Sequence, residues 1–370
     1  MEDIGATATT PRPRRPRGWT RVGLGSALSV AALSGVGILV PAAPSSAAGS
    51  GFNEPGNILV ADQFNNRVIE FDGRNPVWHF GDGSSTAGPN SIVGPNDVER
   101  VGNLTLIAGT GTPMGADPSC TNSSGCVDNR VIYVNQAGQI VWKYGSAGVT
   151  GDDFDQLNVP VQATALPNGD VLITDQGNNR IIEVTMTHHI VWQYGRPDLP
   201  GGAGFDQLNN PNSAQLLPNG HILIADENNN RVIEVDRNHN IVWQYGSPTG
   251  NALSGAAFAS RLPNGNTLIT DSNNSRIVTV TADKSVVFVY ETNDRPGSME
   301  MPLPTRAVQL ANGNILISDQ FNDQVIEINA EKEIVFSLGM IQVDGNGFNQ
   351  LNAPYDAKVI GDYTGLTRPF

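Results

Sequence analysis

The chain alternates short apolar runs with clusters of Gly, Asn, Asp and Pro, and nowhere sustains the period of a long helix. Its clearest unit reads "LPNGHILIADENNNRVIEVDRNHNIVWQYG" at 217–246, and "LPNGDVLITDQGNNRIIEVTMTHHIVWQYG" at 166–195 repeats it with few changes. An alternating run ends in Asp, an Asn-rich turn leads to Arg, a second alternating run follows, and an aromatic-bearing segment closes the unit. Period-two alternation punctuated by "PNG" and Asn-rich turns predicts antiparallel strands.

Six copies can be counted. The closing aromatic falls at Trp78, Trp142, Trp192, Trp243, Phe288 and Phe336. The Asp falls at Asp62, Asp175, Asp226, Asp271 and Asp319, with Ala108 in copy two. Arg follows at Arg67, Arg130, Arg180, Arg231 and Arg276, with Gln324 in copy six, and lies eleven or twelve residues before the aromatic in every copy. One more strand-like segment precedes each turn ("NDVERV", "VQATAL", "NSAQLL", "AFASRL", "TRAVQL"), so each unit holds four strands. The expected fold is all-β: a six-bladed β-propeller of four-stranded antiparallel blades. The first copy lacks its innermost strand, whereas "GFNQLNAPYDAKVIGDYTG" at 347–365 matches the lead-in "GFDQLNNPNSAQLLPNG" at 204–220. A C-terminal strand should therefore complete the first blade and close the ring, hiding both edges.

The 41 Gly and 24 Pro suit many tight turns. Residues 1–48 stand apart: Arg12, Arg14, Arg15, Arg17 and Arg21 precede the uncharged run Gly23–Val40, and small residues surround Ala47 and Ala48. That order predicts an export signal, leaving a propeller over 49–370; a retained anchor is the rival reading, weakened by the Gly, Ala and Ser in the run. Arg14–Arg15 is followed by Pro16 and Arg17 rather than an apolar pair, which argues against a twin-arginine route. Residues 1–48 hold five of the 22 basic and two of the 36 acidic residues, so the remainder carries 17 against 34, a net charge of −17. Such a body is expected to be repelled by nucleic acid and, once its signal is cleaved, by anionic membranes. A secreted monomer is expected. Cys120 and Cys126, in an insertion over 109–127 in blade two, should form a disulfide in an exported protein.

An Asp and an Arg required in nearly every unit read as blade architecture rather than as one catalytic site. The Asp can accept turn N–H groups and pair with the Arg, and the aromatics read as packing between blades. The "GNILVAD–NNRVIEVD" pattern resembles the NHL repeat of six-bladed propellers, over about residues 52–365, and is similar to propeller repeats of arylsulfotransferase-like proteins. The resemblance implies the fold and leaves activity open, since such propellers include binding modules, sensor domains and enzymes. The amidating lyase of this fold implies a zinc site of His from several blades, and the sulfotransferase-like enzymes a His-dependent mechanism. The five histidines here (His79, His188, His189, His221, His239) lie mostly beside turns, which argues against both.

The long, variable loops lead into the first strand of each blade and share a face with the blade-two insertion, making that face the expected binding surface. The innermost strands begin there with pairs that differ between blades. From them come the channel-mouth candidates Asn96, Asp97, Asn212, Arg306, Tyr355 and Asp356. Asp97 and Asp356 are hard oxygen donors of the kind calcium prefers. Resemblance to metal-dependent lactonase-type propellers implies a hydrolase or lyase in which Arg306 orients an anionic substrate and Tyr355 shapes the pocket. The other reading is a recognition module that binds a protein, glycan or small molecule through the loop-bearing face. It leads because no complete catalytic constellation is readable.

Overall fold

In the computed structural model, which describes residues 51–369 apart from 118, 24 strands form six four-stranded antiparallel sheets. The export signal expected over 1–48 lies outside the described residues. Blade two consists of β4 (Pro95–Val101), β5 (Leu104–Thr112), β6 (Cys126–Asn135) and β7 (Ile140–Tyr144), ordered from the axis outward. Blade three follows with β8 (Pro160–Ala165), β9 (Val171–Asp175), β10 (Arg180–Val184) and β11 (Ile190–Tyr194). Blade four holds β12 (Pro211–Leu216), β13 (Ile222–Asp226), β14 (Arg231–Val235) and β15 (Ile241–Gly246). Blade five runs through β16 (Ala256–Arg261), β17 (Thr267–Asp271), β18 (Arg276–Val280) and β19 (Val286–Glu291). Blade six is β20 (Arg306–Gln309), β21 (Ile315–Asp319), β22 (Gln324–Ile328) and β23 (Ile334–Gly339).

Blade one is assembled from both ends of the described chain. β1 (Ile58–Asp62), β2 (Arg67–Asp72) and β3 (Asn75–Phe80) are completed by β24 (Pro354–Val359), in the order β24–β1–β2–β3. β24 pairs antiparallel with β1 from Ile58↔Val359 to Asp62↔Pro354. Each innermost strand touches the next, through β20 to β24 and from β24 to β4, so the sequence-predicted closure is observed. The middle strands are buried on both faces, as in "ILIAD" of β13, and pack into clusters that join neighbouring blades.

The aromatics fasten blades across their rims as well as filling space. Trp78 donates its indole N–H to Gln136 O at 2.9 Å, Trp142 to Met186 O at 3.0 Å and Trp243 to Ala282 O at 3.0 Å, each carbonyl belonging to a turn of the next blade. Phe288 and Phe336 have no N–H to give. There the next blade lays a cation over the ring instead, Lys332 at 5.6 Å and Arg74 at 5.5 Å from the centroids.

The blade-two insertion is less loop than its composition suggests. Residues 109–112 extend β5 and residues 126–129 open β6, and the connection between the two strands is tied by the Cys120–Cys126 disulfide.

Candidate functional site

The repeated Asp and Arg hold the loops that lead into each blade. Asp175 accepts Arg180 Nε at 2.7 Å on one oxygen and the Asn158 backbone N–H at 2.8 Å on the other. Arg180 then reaches the Asp152 and Gln156 carbonyls of the same loop. Asp226–Arg231 and Asp271–Arg276 repeat this at 2.7 Å. Burial pushes the Asp175 and Asp226 carboxyl groups up while their arginines pull them down; Asp175, and Asp319 of blade six, rise to about 6.

The two irregular copies replace lost partners from elsewhere. In blade two, where Ala108 stands for the Asp, Asp128 binds Arg130 at 2.5 Å and takes the Val93 N–H at 2.8 Å. In blade six, where Gln324 stands for the Arg, Arg295 comes in from the leading loop to bind Asp319 Oδ2 at 2.5 Å and Gln324 Oε1 at 2.9 Å. Asp319 Oδ1 has no hydrogen-bond partner. The residue matching Asn158 is Pro302, which lacks the N–H that would fill it.

At the channel mouth, Arg306 is buried and crosses the axis. Its Nη1 donates to Asn212 Oδ1 (3.0 Å) and Ala257 O (3.3 Å), its Nη2 to Val161 O (3.1 Å), and its guanidinium lies 5.2 Å from the Phe258 ring and 5.1 Å from that of Tyr355. Asn212 Nδ2 donates to the Tyr355 hydroxyl (2.9 Å) and to Glu227 Oε2 (2.8 Å). Asn96 is held apart, accepting from Gln63, which accepts in turn from Gln320. Of the six candidates, Asn212, Arg306 and Tyr355 therefore form one network that plugs the mouth. Gln63, Gln176, Glu227 and Gln320 were not singled out in the sequence. They directly follow the blade Asp, a position whose variation between blades was the available signal.

Asp97 and Asp356 come together one step deeper, and Lys358 lies between them. Its Nζ donates to Asp97 Oδ1 (2.8 Å), Asp356 Oδ2 (2.7 Å) and Val98 O (2.8 Å). Burial works against the Lys358 charge, yet Asp356 and Asp97 hold its pKa above the ordinary value. Each carboxylate also takes an N–H from the next blade's inner strand, Asp356 from Val98 and Asp97 from Ala163. Gln162 and Ser213 do the same for Ala214 and Ala259. This side-chain ring satisfies inner-edge donors that the blades cannot pair among themselves.

Calcium wants six to eight oxygens. Here two carboxylates already share an ammonium, and among the described residues no cluster of three or more His, Cys, Asp or Glu is arranged to hold a metal. The residues do not fit the ion. The histidines do not converge either: His188 pairs with Asp155 (3.3 Å), His239 with Asp206 (3.1 Å) and His221 with Glu234 (2.7 Å), at separate seams.

Glu99 completes the axial charge balance. Burial pushes it up to about 8, so it is mostly protonated at neutral pH, leaving Lys358 and Arg306 to face Asp97 and Asp356. Because the folded value lies above the unfolded one near 4.5, this group's contribution to stability is complete below about pH 4.5 and is lost as pH rises through about 8. Glu99→Gln keeps the acceptor for the Ala165 N–H. The variant should match wild type near pH 4.5 and gain on it by about 1 kcal/mol per pH unit towards pH 8. Parallel stability–pH curves for the two proteins would refute this.

Beyond β24 the chain folds across the far end of the channel. Tyr363 donates to Arg100 O (3.3 Å), Gly365 O accepts from Gln215 (3.1 Å), Thr367 donates to Leu216 O (3.1 Å) and Leu366 joins the core. Two cavities remain near this end, about 10 and 20 Å³, room for single waters.

The loop-bearing face is open. Three leading loops share "F-D/N-QLN" and one geometry. Leu157, Leu208 and Leu351 are buried, and left-handed Asp155, Asp206 and Asn349 accept the N–H of Gly145, Gly195 and Gly339. The aromatic of each points away: Phe154, Phe205 and Phe348 are 71%, 75% and 71% exposed.

No family model matches the chain, and no curated protein matches it in sequence. Solved structures do. A protein of unknown function from Bacteroides caccae is 16% identical with a TM-score of 0.54, over 82% of this chain and 98% of its own. A streptogramin B lyase is 15% identical with a TM-score of 0.51, over 84% and 86% of the two chains. At these identities the likeness shows the fold alone: the protein is a six-bladed β-propeller.

Proposed function

We propose that this protein is an exported recognition module of the NHL-like propeller type, binding through its loop-bearing face. One observation carries the reading: three equivalent loops bury a leucine and hold a phenylalanine out in water. Burying an exposed Phe is worth about 1.5–3 kcal/mol, and the fold has placed a Leu inward three residues away in each loop. Large exposed apolar groups repeated on one face mark an interaction surface. The channel supports the same reading, because Arg306 and its partners fill the mouth and the tail covers the other end. The disulfide fits an oxidising compartment.

The test is Phe154→Ser/Phe205→Ser/Phe348→Ser. Since these side chains are largely exposed, the melting temperature should hold within about 2 °C. Ligands selected on the wild type from peptide-display and glycan arrays should lose about tenfold or more in affinity. Ligands that bind the triple variant undiminished would place recognition elsewhere.

A further inference from the structure

The apolar display is an arc. Phe348 leads into blade one, Met114 (59% exposed) tips the blade-two loop, and Phe154 and Phe205 lead into blades three and four. Blade five's leading loop, residues 247–255, carries no aromatic. An arc spread over four blades matches an extended polymer better than a compact small molecule.

The uncompensated charge on this face is negative. Asp82, Asp152, Asp153, Asp294 and Glu300 are exposed there. Among the described residues, the cations of the same loops are committed: the five blade arginines brace backbone carbonyls, Arg295 binds Asp319, and Arg196 binds Asp198 at 2.7 Å. The leading loops contain no lysine; Lys284 and Lys332 lie in turns at the opposite end of their blades. A second copy of this face, an anionic lipid surface or a nucleic acid would meet like charge. A neutral glycan would gain nothing from the field. Arginine or lysine beside apolar residues would gain twice, from the carboxylates and from the phenyl faces.

Building on the proposed docking role of the loop-bearing face, we infer that its ligand is a cationic, amphipathic polypeptide segment lying along the arc of blades one to four.

The probes are three peptides of about 20 residues in which Leu alternates with Arg/Lys, with Ser/Gln, or with Glu, together with phosphatidylglycerol vesicles and chitin oligosaccharides. Binding is read by fluorescence anisotropy or titration calorimetry with the folded chain. The cationic peptide should bind about tenfold or more tighter than the neutral one at low salt, and weaken as salt rises. The triple Phe→Ser variant should lose about tenfold, and Asp152→Asn/Asp153→Asn/Asp294→Asn/Glu300→Gln about fivefold, each with an unchanged melting temperature. Asp72→Asn/Glu331→Gln, which removes charge from the opposite face, should lose nothing. Equal loss in that control overturns the inference, because attraction would then reflect net charge. Phe-dependent binding of the neutral or acidic peptide, the vesicles or the sugar, at least as tight as that of the cationic peptide, overturns the cationic ligand while leaving the face as a docking surface. No Phe-dependent binding by any probe overturns both.

Discussion

A chain ending at Asn346 should yield no soluble monomer. The truncation removes β24, so β1 loses the partner that meets it from Ile58 to Asp62 and presents a bare inner edge. It also removes buried Leu351, Tyr355, Ala357 and Ile360, and with Asp356 the acceptor of the Val98 N–H. At about 1.5–3 kcal/mol for each large apolar side chain and about 1 kcal/mol for each hydrogen bond, the loss is comparable to the whole stability of a typical domain, about 5–15 kcal/mol. Blades six and one would then face each other across a gap, each with an exposed face and one with an unpaired strand, and aggregation follows. A milder cut separates ring closure from channel closure. Ending at Ile360 keeps β24 and removes only the tail that carries Tyr363, Leu366 and Thr367, so that protein should fold with a lowered melting temperature and an open far end. Size-exclusion chromatography and thermal melts of the two truncations decide the matter. A monomeric, cooperatively melting chain ending at Asn346 would show that the terminal strand is dispensable.

What the sequence made legible is what repeats within a blade. The alternation of "ILIAD" and "RVIEV" placed β13 and β14, and the spacing of Asp226 and Arg231 placed the pair at their junction, since such neighbours are separated by a fixed number of residues. Contacts across the axis carry no such ruler. Lys358 meets Asp97 at a separation of 261 residues, and Arg306 meets Val161 at 145. Asp356 and Lys358 share one strand face, so an ammonium near that carboxylate was readable from the period of two; that Asp97 would arrive from the next blade was not. Compensation was equally hidden. Gln324 marked a missing arginine in the sequence, but only the fold shows Arg295 descending from a loop 24 residues upstream of Asp319. Two of the exposed phenylalanines, Phe205 and Phe348, sat in the very strings that revealed ring closure. Their repetition was visible, and their outward direction required the loop geometry set by Asp155, Asp206 and Asn349.

Arg306→Met should destabilise the protein by about 3–5 kcal/mol, the usual cost of removing one partner from a buried charged network. Methionine roughly conserves volume and apolar packing against Phe258 and Tyr355, so the loss would report charge and hydrogen bonds rather than an empty space. The arginine's partners are the carbonyls of Val161 and Ala257 and the Asn212 side chain, contributed by blades three, five and four. Without it these acceptors stay buried and lose their donor. Its charge also matters one layer down, where it helps hold Asp97 ionised. Removing it leaves Lys358 alone against two carboxylates, so Asp97 should take up its proton at a higher pH than the present value of about 6. Arg306→Lys separates the two contributions: the charge returns without the planar fork that reaches three blades at once, and the variant should recover part of the lost stability. Denaturant midpoints for the three proteins provide the measurement. If Arg306→Met unfolded within about 1 kcal/mol of the wild type, the blades would be held by their packed faces alone, and the guanidinium would be a filler of the mouth rather than the bolt across it.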